Sequence, residues 1–147
     1  MMNKKFKYQE DMDIIKNDHK CDCPNRELKA ITPFESFRYV FEDINYKSNF
    51  LPQLKDDPAR FIDTDGKKKC DYLNLSMYSK IEGAKERYYQ LANSFPNFKK
   101  TAGTHIANGI LESVDGLITE EGYLTHFGLY EFENIELQNK FNVIEIL

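Results

Sequence analysis

Thr32-Pro33-Phe34-Glu35-Ser36-Phe37-Arg38-Tyr39-Val40-Phe41-Glu42-Asp43-Ile44 is the stretch on which the fold turns. Thr32 can cap a helix, Pro33 suits its first position, and Glu35 is placed to reach back to the cap. Phe34, Phe37, Val40, Phe41 and Ile44 then recur at spacings of three and four, one broad apolar stripe. The stretch therefore reads as an amphipathic helix from Pro33 to Ile44 with its aromatic face on the core. Arg38 stands between Phe37 and Tyr39, where its guanidinium either snorkels past the core or pairs with a buried carboxylate.

Toward the C-terminus, Asn45 to Lys69 is polar and carries Pro52, Pro58 and Asp65-Gly66, so it reads as a long connection, lid or plain loop, with one short element near Ala59–Ile62. Cys70 to Leu75 reads as a short buried strand. Ser76 or Ser79 then caps a second helix in which Met77, Ile81, Ala84, Tyr88 and Leu91 keep helical spacing, and Pro96 stops it near Asn93. Gly83 costs that helix up to ~1 kcal/mol relative to Ala, which points to close packing against a neighbour.

After Gly103 the alternation changes to that of strands. His105–Leu111, Leu117–Thr119 and Tyr123–Phe132, joined by turns at Asp115-Gly116 and Glu121-Gly122, read as an antiparallel meander. Asn134 caps a brief helix through Phe141, and Val143–Leu147 is a final strand. Residues 1–22, dense in Lys, Asp and Asn, read as a loosely ordered start with one short element. The whole, residues 1–147, reads as a single α+β domain: an antiparallel sheet mainly from the C-terminal half, packed by two amphipathic helices.

Hydrophobic residues make up 41% of the chain and aromatics 14%, with 11 Phe and 9 Tyr but no Trp, ample material for one core. The longest apolar runs fall far short of the ~20 residues that span a bilayer. The lysines of Met1–Lys7 lead into polar sequence rather than an apolar signal core, so the reading places the protein in the cytoplasm, off the membrane. Charge is unevenly spread. From Thr101 to Leu147 eight carboxylates face one cation, Lys140, whereas the preceding residues carry 19 Lys and Arg against 16 Asp and Glu. An acidic, aromatic C-terminal part fits a basic protein surface better than nucleic acid. On this reading Tyr123, Tyr130 and Phe132 anchor a partner while Glu120, Glu121, Glu131 and Glu133 steer its approach, as in a small accessory, inhibitor or immunity-type protein.

Three cysteines leave one unpaired whatever disulfide is drawn, and reduced thiols fit a cytosolic chain. His19, Cys21, Cys23 and Cys70 form the one soft-ligand cluster. A Cys-x-Cys followed by Pro24 departs from the usual zinc spacing, so the favoured reading has no metal and no cofactor. Asp63-x-Asp65-Gly66 reads as a turn rather than a calcium loop, because Phe61 fills the preceding ligand position. Lys67-Lys68-Lys69 reads as a solvated run. His105 and His126 fall in neighbouring expected strands, but no Ser, Cys or carboxylate stands at a motif-like offset to make a triad. No phosphate-binding glycine loop, dinucleotide fingerprint or zincin motif occurs.

One enzymatic alternative remains. Leu73-Asn74-Leu75-Ser76 followed by a helix with Ala84 and Tyr88, and later Glu131-Phe132-Glu133, resemble the strand-Ser-helix and Glu-x-Glu elements of ADP-ribosyltransferases. The resemblance implies an NAD-consuming enzyme in which Glu133 aligns the ribose hydroxyl, Ser76 supports it beside Glu131, and Arg26 or Arg38 holds the dinucleotide. Here Met77 and Tyr78 follow Ser76 in place of small polar residues.

Overall fold

The computed structural model describes residues 4–147. The stretch that opens the sequence reading is a strand, β2 (Phe34–Val40), and not a helix. Phe34, Phe37, Tyr39 and Val40 are aromatic or β-branched and fit a pleated surface. Alternation sends Val40 into one hydrophobic cluster and Phe37 and Tyr39 into another, so both faces are apolar. Dense aromatics on two faces also satisfy a helical stripe, which is why the spacing misleads. All seven residues pair with β4 (His105–Leu111), from Phe34↔Leu111 to Val40↔His105, and that ladder outweighs the capping signal at Thr32.

The other strands are β1 (Lys29–Ala30), β3 (Leu75–Tyr78), β5 (Gly116–Ile118), β6 (His126–Glu131) and β7 (Asn142–Ile146). They form one antiparallel sheet in the order β1-β5-β6-β3-β2-β4-β7, so the α+β class stands and five of the seven strands come from the C-terminal half. The expected meander is rearranged: β4 leaves its sequence neighbours for β2 and β7, and of the meander strands β5 and β6 alone pair consecutively. His105 and His126 are therefore separated by β2 and β3 rather than facing across neighbours.

Among the described residues five α-helices accompany the sheet: α1 (Gln9–His19), α2 (Gln53–Asp56), α3 (Gly66–Asp71), α4 (Ile81–Ser94) and α5 (Phe98–Ala102). α1 buries Met12 and Ile15, and Phe6 bridges Phe132, so the N-terminal segment from residue 4 is packed rather than loose; residues 1–3 lie outside the described part. The strand expected at Cys70–Leu75 is the end of α3 followed by β3. The Asp65 carboxylate caps that helix by accepting from the Lys68 N–H at 3.0 Å. The helix expected from Ser76 begins five residues later, because Leu75, Ser76, Met77 and Tyr78 complete the sheet centre. A β carbon at Gly83 would collide with the Leu124 carbonyl, so α4 lies hard against the loop before β6. No helix among the described residues is long and apolar enough to cross a membrane.

One sheet face is sealed. Val40, Leu75, Met77, Leu111, Phe127 and Leu129 pack there with Phe50, Leu137 and Phe141 from the segments after β2 and before β7. The other face carries two separate clusters: Phe37, Tyr78 and Ile106 beneath Ala84 of α4, and Tyr130 beneath Met12 and Ile15 of α1, Cys70 of α3 and Leu73 of the turn after it. The sheet between these clusters is left open, and the groove described next lies there.

Candidate functional site

The open strip is floored by Ser76 of β3 with His126 and Gly128 of β6, whose side-chain positions share the face of Tyr78 and Tyr130 by alternation. Lys68, Asp71 and Tyr72 from α3 and the turn after it form one wall with Asn74. Thr119, Glu120 and Gly122 from the β5–β6 connection form the other, and Arg26 and Gln53 complete a groove of about 400 Å³. That lies within the ~300–1,000 Å³ of small-molecule sites.

The floor brings an imidazole against a hydroxyl. His126 Nε2 lies 3.0 Å from Ser76 Oγ, and the imidazole packs edge-on against Tyr78 with ring centres 5.3 Å apart. Burial lowers the His126 pKa, and the positive charges of Arg87 and Arg26 lower it further. The ring is thus neutral at physiological pH. Arg26 is fixed on the rim by a bidentate pair with Asp71, Nε to Oδ1 at 2.8 Å and Nη2 to Oδ2 at 3.0 Å. The segment bearing Arg26 is also tied to α3 by a disulfide between Cys23 and Cys70. This corrects the expectation of reduced thiols. It also removes two of the four proposed zinc ligands, leaving Cys21 free and His19 exposed with Nε2 3.5 Å from Lys69 Nζ.

Arg38 lies outside the groove. It donates to the carbonyls of Asn49 at 2.7 Å and Ser76 at 2.8 Å, and burial lowers its pKa to about 10 against the opposing pull of Glu131 and Asp56. β2 and β3 share a single paired position, Phe37↔Tyr78, so the guanidinium takes up a strand carbonyl where the ladder stops. Its partners are main-chain oxygens rather than the carboxylate or ligand considered from the sequence.

The acidic aromatic surface is broken up by folding. Tyr130 is fully buried and donates to the Cys70 carbonyl at 3.1 Å, with its pKa raised to about 12 chiefly by burial. Glu131 is 3% exposed, is held by Lys7 at 3.3 Å, and leaves Oε1 without a partner. Neither can touch a partner, which corrects both assignments. Asp115 pairs with Lys140 and Glu145 with Lys85, each at 2.6 Å, so the excess negative charge is partly spent inside the fold. Phe132 is half-buried and stacks on Phe6, while Glu133 is exposed and its N–H donates to the Lys5 carbonyl. What stays outside together is Glu120, Glu121 and Tyr123, the last 61% exposed beneath Arg87 and bonded to Gln90. Glu121 accepts from the Ser79 hydroxyl.

Of the residues singled out by the enzymatic resemblance, Ser76 and Arg26 meet in the groove; Glu131 and Glu133 do not line it. His126, Asn74 and Lys68 are the residues that sequence reasoning missed as a set. No protein family, curated protein or solved structure matches this chain.

Proposed function

We propose that this protein is a small NAD-consuming enzyme whose nicotinamide-ribose half-site is the groove over Ser76. The observation that carries the reading is topological. β3 lies beside β6 at the centre of the sheet, so Ser76 opens into the groove, and Arg26, 50 residues earlier in the chain and singled out by the same resemblance, stands on its rim. On this reading the Ser76 hydroxyl and the Asn74 amide hold the nicotinamide ribose, while Arg26 and Lys68 offer cations to the diphosphate. Arg26, not Arg38, takes the dinucleotide role. Nicotinamide release from NAD, followed by chromatography, tests it. Arg26→Glu should weaken NAD binding at least ~10-fold by reversing a charge beside the diphosphate, whereas Glu133→Gln should leave turnover unchanged. A wild-type protein that neither binds NAD at millimolar concentration nor releases nicotinamide refutes the proposal.

A second reading, an accessory or inhibitor that engages a basic protein surface, is favoured by Tyr123. This exposed aromatic is fixed by Arg87 and Gln90 and flanked by Glu120 and Glu121. It calls for an association rate that falls as salt rises and a complex lost on Tyr123→Ala. A rate indifferent to salt removes steering from that reading.

A further inference from the structure

We propose that His126 is the general base of the groove, taking through the Ser76 hydroxyl the proton of the water that replaces nicotinamide on the ribose. The inference rests on the NAD reading above and makes the activity a hydrolysis. A base must lie within hydrogen-bond reach of the incoming hydroxyl, directly or through one intervening group. Glu131 is sealed in the protein against Lys7, and Glu133 is exposed on the turn after β6 with its main chain bonded to Lys5. Neither lines the groove. Glu120 stands on the rim, exposed, and its carboxylate makes no bond to the floor. His126 is on the floor, and its Nε2 is already 3.0 Å from Ser76 Oγ.

In the tautomer with its proton on Nδ1, Nε2 accepts from Ser76, and the Ser76 oxygen is free to accept from a water in the groove. The ribose C1′–nitrogen bond breaks and its electron pair leaves with neutral nicotinamide. The water oxygen bonds to C1′. The water proton passes to Ser76 Oγ as the Ser76 proton passes to Nε2, and the imidazolium returns that proton to solvent. The products are ADP-ribose, nicotinamide and one proton. Nothing beyond NAD and water is consumed.

The surroundings keep the base in its neutral form. Tyr78 of β3 meets the ring edge-on; Arg87 of α4 and Arg26 on the rim set positive charge toward it; Lys68 and Asp71 of α3 and Glu120 of the opposite wall complete the charged groups lining the groove. Asp71 is committed to Arg26, so no carboxylate is paired with the imidazole.

The test is nicotinamide release and calorimetric NAD binding by wild type and His126→Gln between pH 5 and pH 8. Gln keeps a polar group near Ser76 but cannot take a proton. The expected result is NAD affinity within about threefold of wild type, a kcat lower by at least ~100-fold, and loss of the rise in rate with pH that wild type shows. A variant that keeps a third or more of the wild-type kcat with the same pH profile overturns the role of His126 and leaves the NAD reading standing. Wild-type protein that binds NAD without releasing nicotinamide overturns the proposed base as well. Absence of NAD binding overturns both. Should His126→Gln fail to fold by circular dichroism, His126→Asn decides. The relay requires retained NAD binding with kcat down at least ~10-fold, and an unchanged kcat refutes it.

Discussion

Arg38→Met should destabilise the fold through the sheet centre and not through the groove. The wild-type guanidinium makes two charge-assisted bonds, to the carbonyls of Asn49 and Ser76. At ~1.5–3 kcal/mol for each bond to a charged group, the gross loss is ~3–6 kcal/mol. Met replaces most of the aliphatic stem, and removal of a desolvated cation returns part of the loss, since burial already holds this guanidinium's pKa near 10. The net expectation is ~2–4 kcal/mol. For a chain of this size each kcal/mol lowers Tm by ~2–4 °C, so the melting temperature should fall by roughly 4–16 °C. Arg38→Lys, which keeps the charge but not the fork, should lie between. Scanning calorimetry reads all three proteins directly. A Tm for Arg38→Met within 2 °C of wild type, on the order of ~1 kcal/mol or less, would refute the argument that the guanidinium substitutes for the missing β2–β3 ladder.

Glu131 supplies a pH test. Burial raises its pKa above the ordinary value of 4.5 more strongly than Lys7 and Arg38 lower it. The folded state therefore holds this proton more tightly than the unfolded chain, and the stability it contributes below that ordinary value is lost as pH rises through the folded pKa. The Tm of Glu131→Gln minus that of wild type should consequently grow from pH 4 to pH 7.5; a difference that stays constant in calorimetry contradicts the assignment. Cys23 and Cys70 are 47 residues apart, and a loop of that length is worth ~4 kcal/mol in the chain-entropy account. Cys23→Ser should thus lower the urea midpoint under oxidising conditions, whereas equal midpoints would show that the bond constrains nothing in the unfolded chain.

What could be read from the sequence follows from the range over which each signal acts. The strands His105–Leu111 and 117–119 and the body of the second helix were legible because alternation, Asp-Gly turns and Pro96 act over a few residues. β2 was not, because a segment with aromatics on both faces fits either period, and only the ladder with β4, some 70 residues away, decides. The same limit hid the site. Ser76 carried a recognisable local pattern, but its contact with His126 depends on β3 and β6 being neighbours, and strand order leaves no mark on either segment. Likewise the acidic C-terminal third looked like an exposed patch. The lysines that neutralise part of it, Lys7 and Lys85, arrive from other elements.

The central claim, that the Ser76–His126 groove is the ligand site, is tested most directly by nuclear magnetic resonance titration of the ¹⁵N-labelled protein with NAD. The account predicts saturable shifts gathered at Arg26, Lys68, Asn74, Ser76, His126 and Gly128, with the His126 ring nitrogens moving as well. Shifts confined to Glu120, Glu121 and Tyr123, or no shift at millimolar NAD, would contradict it.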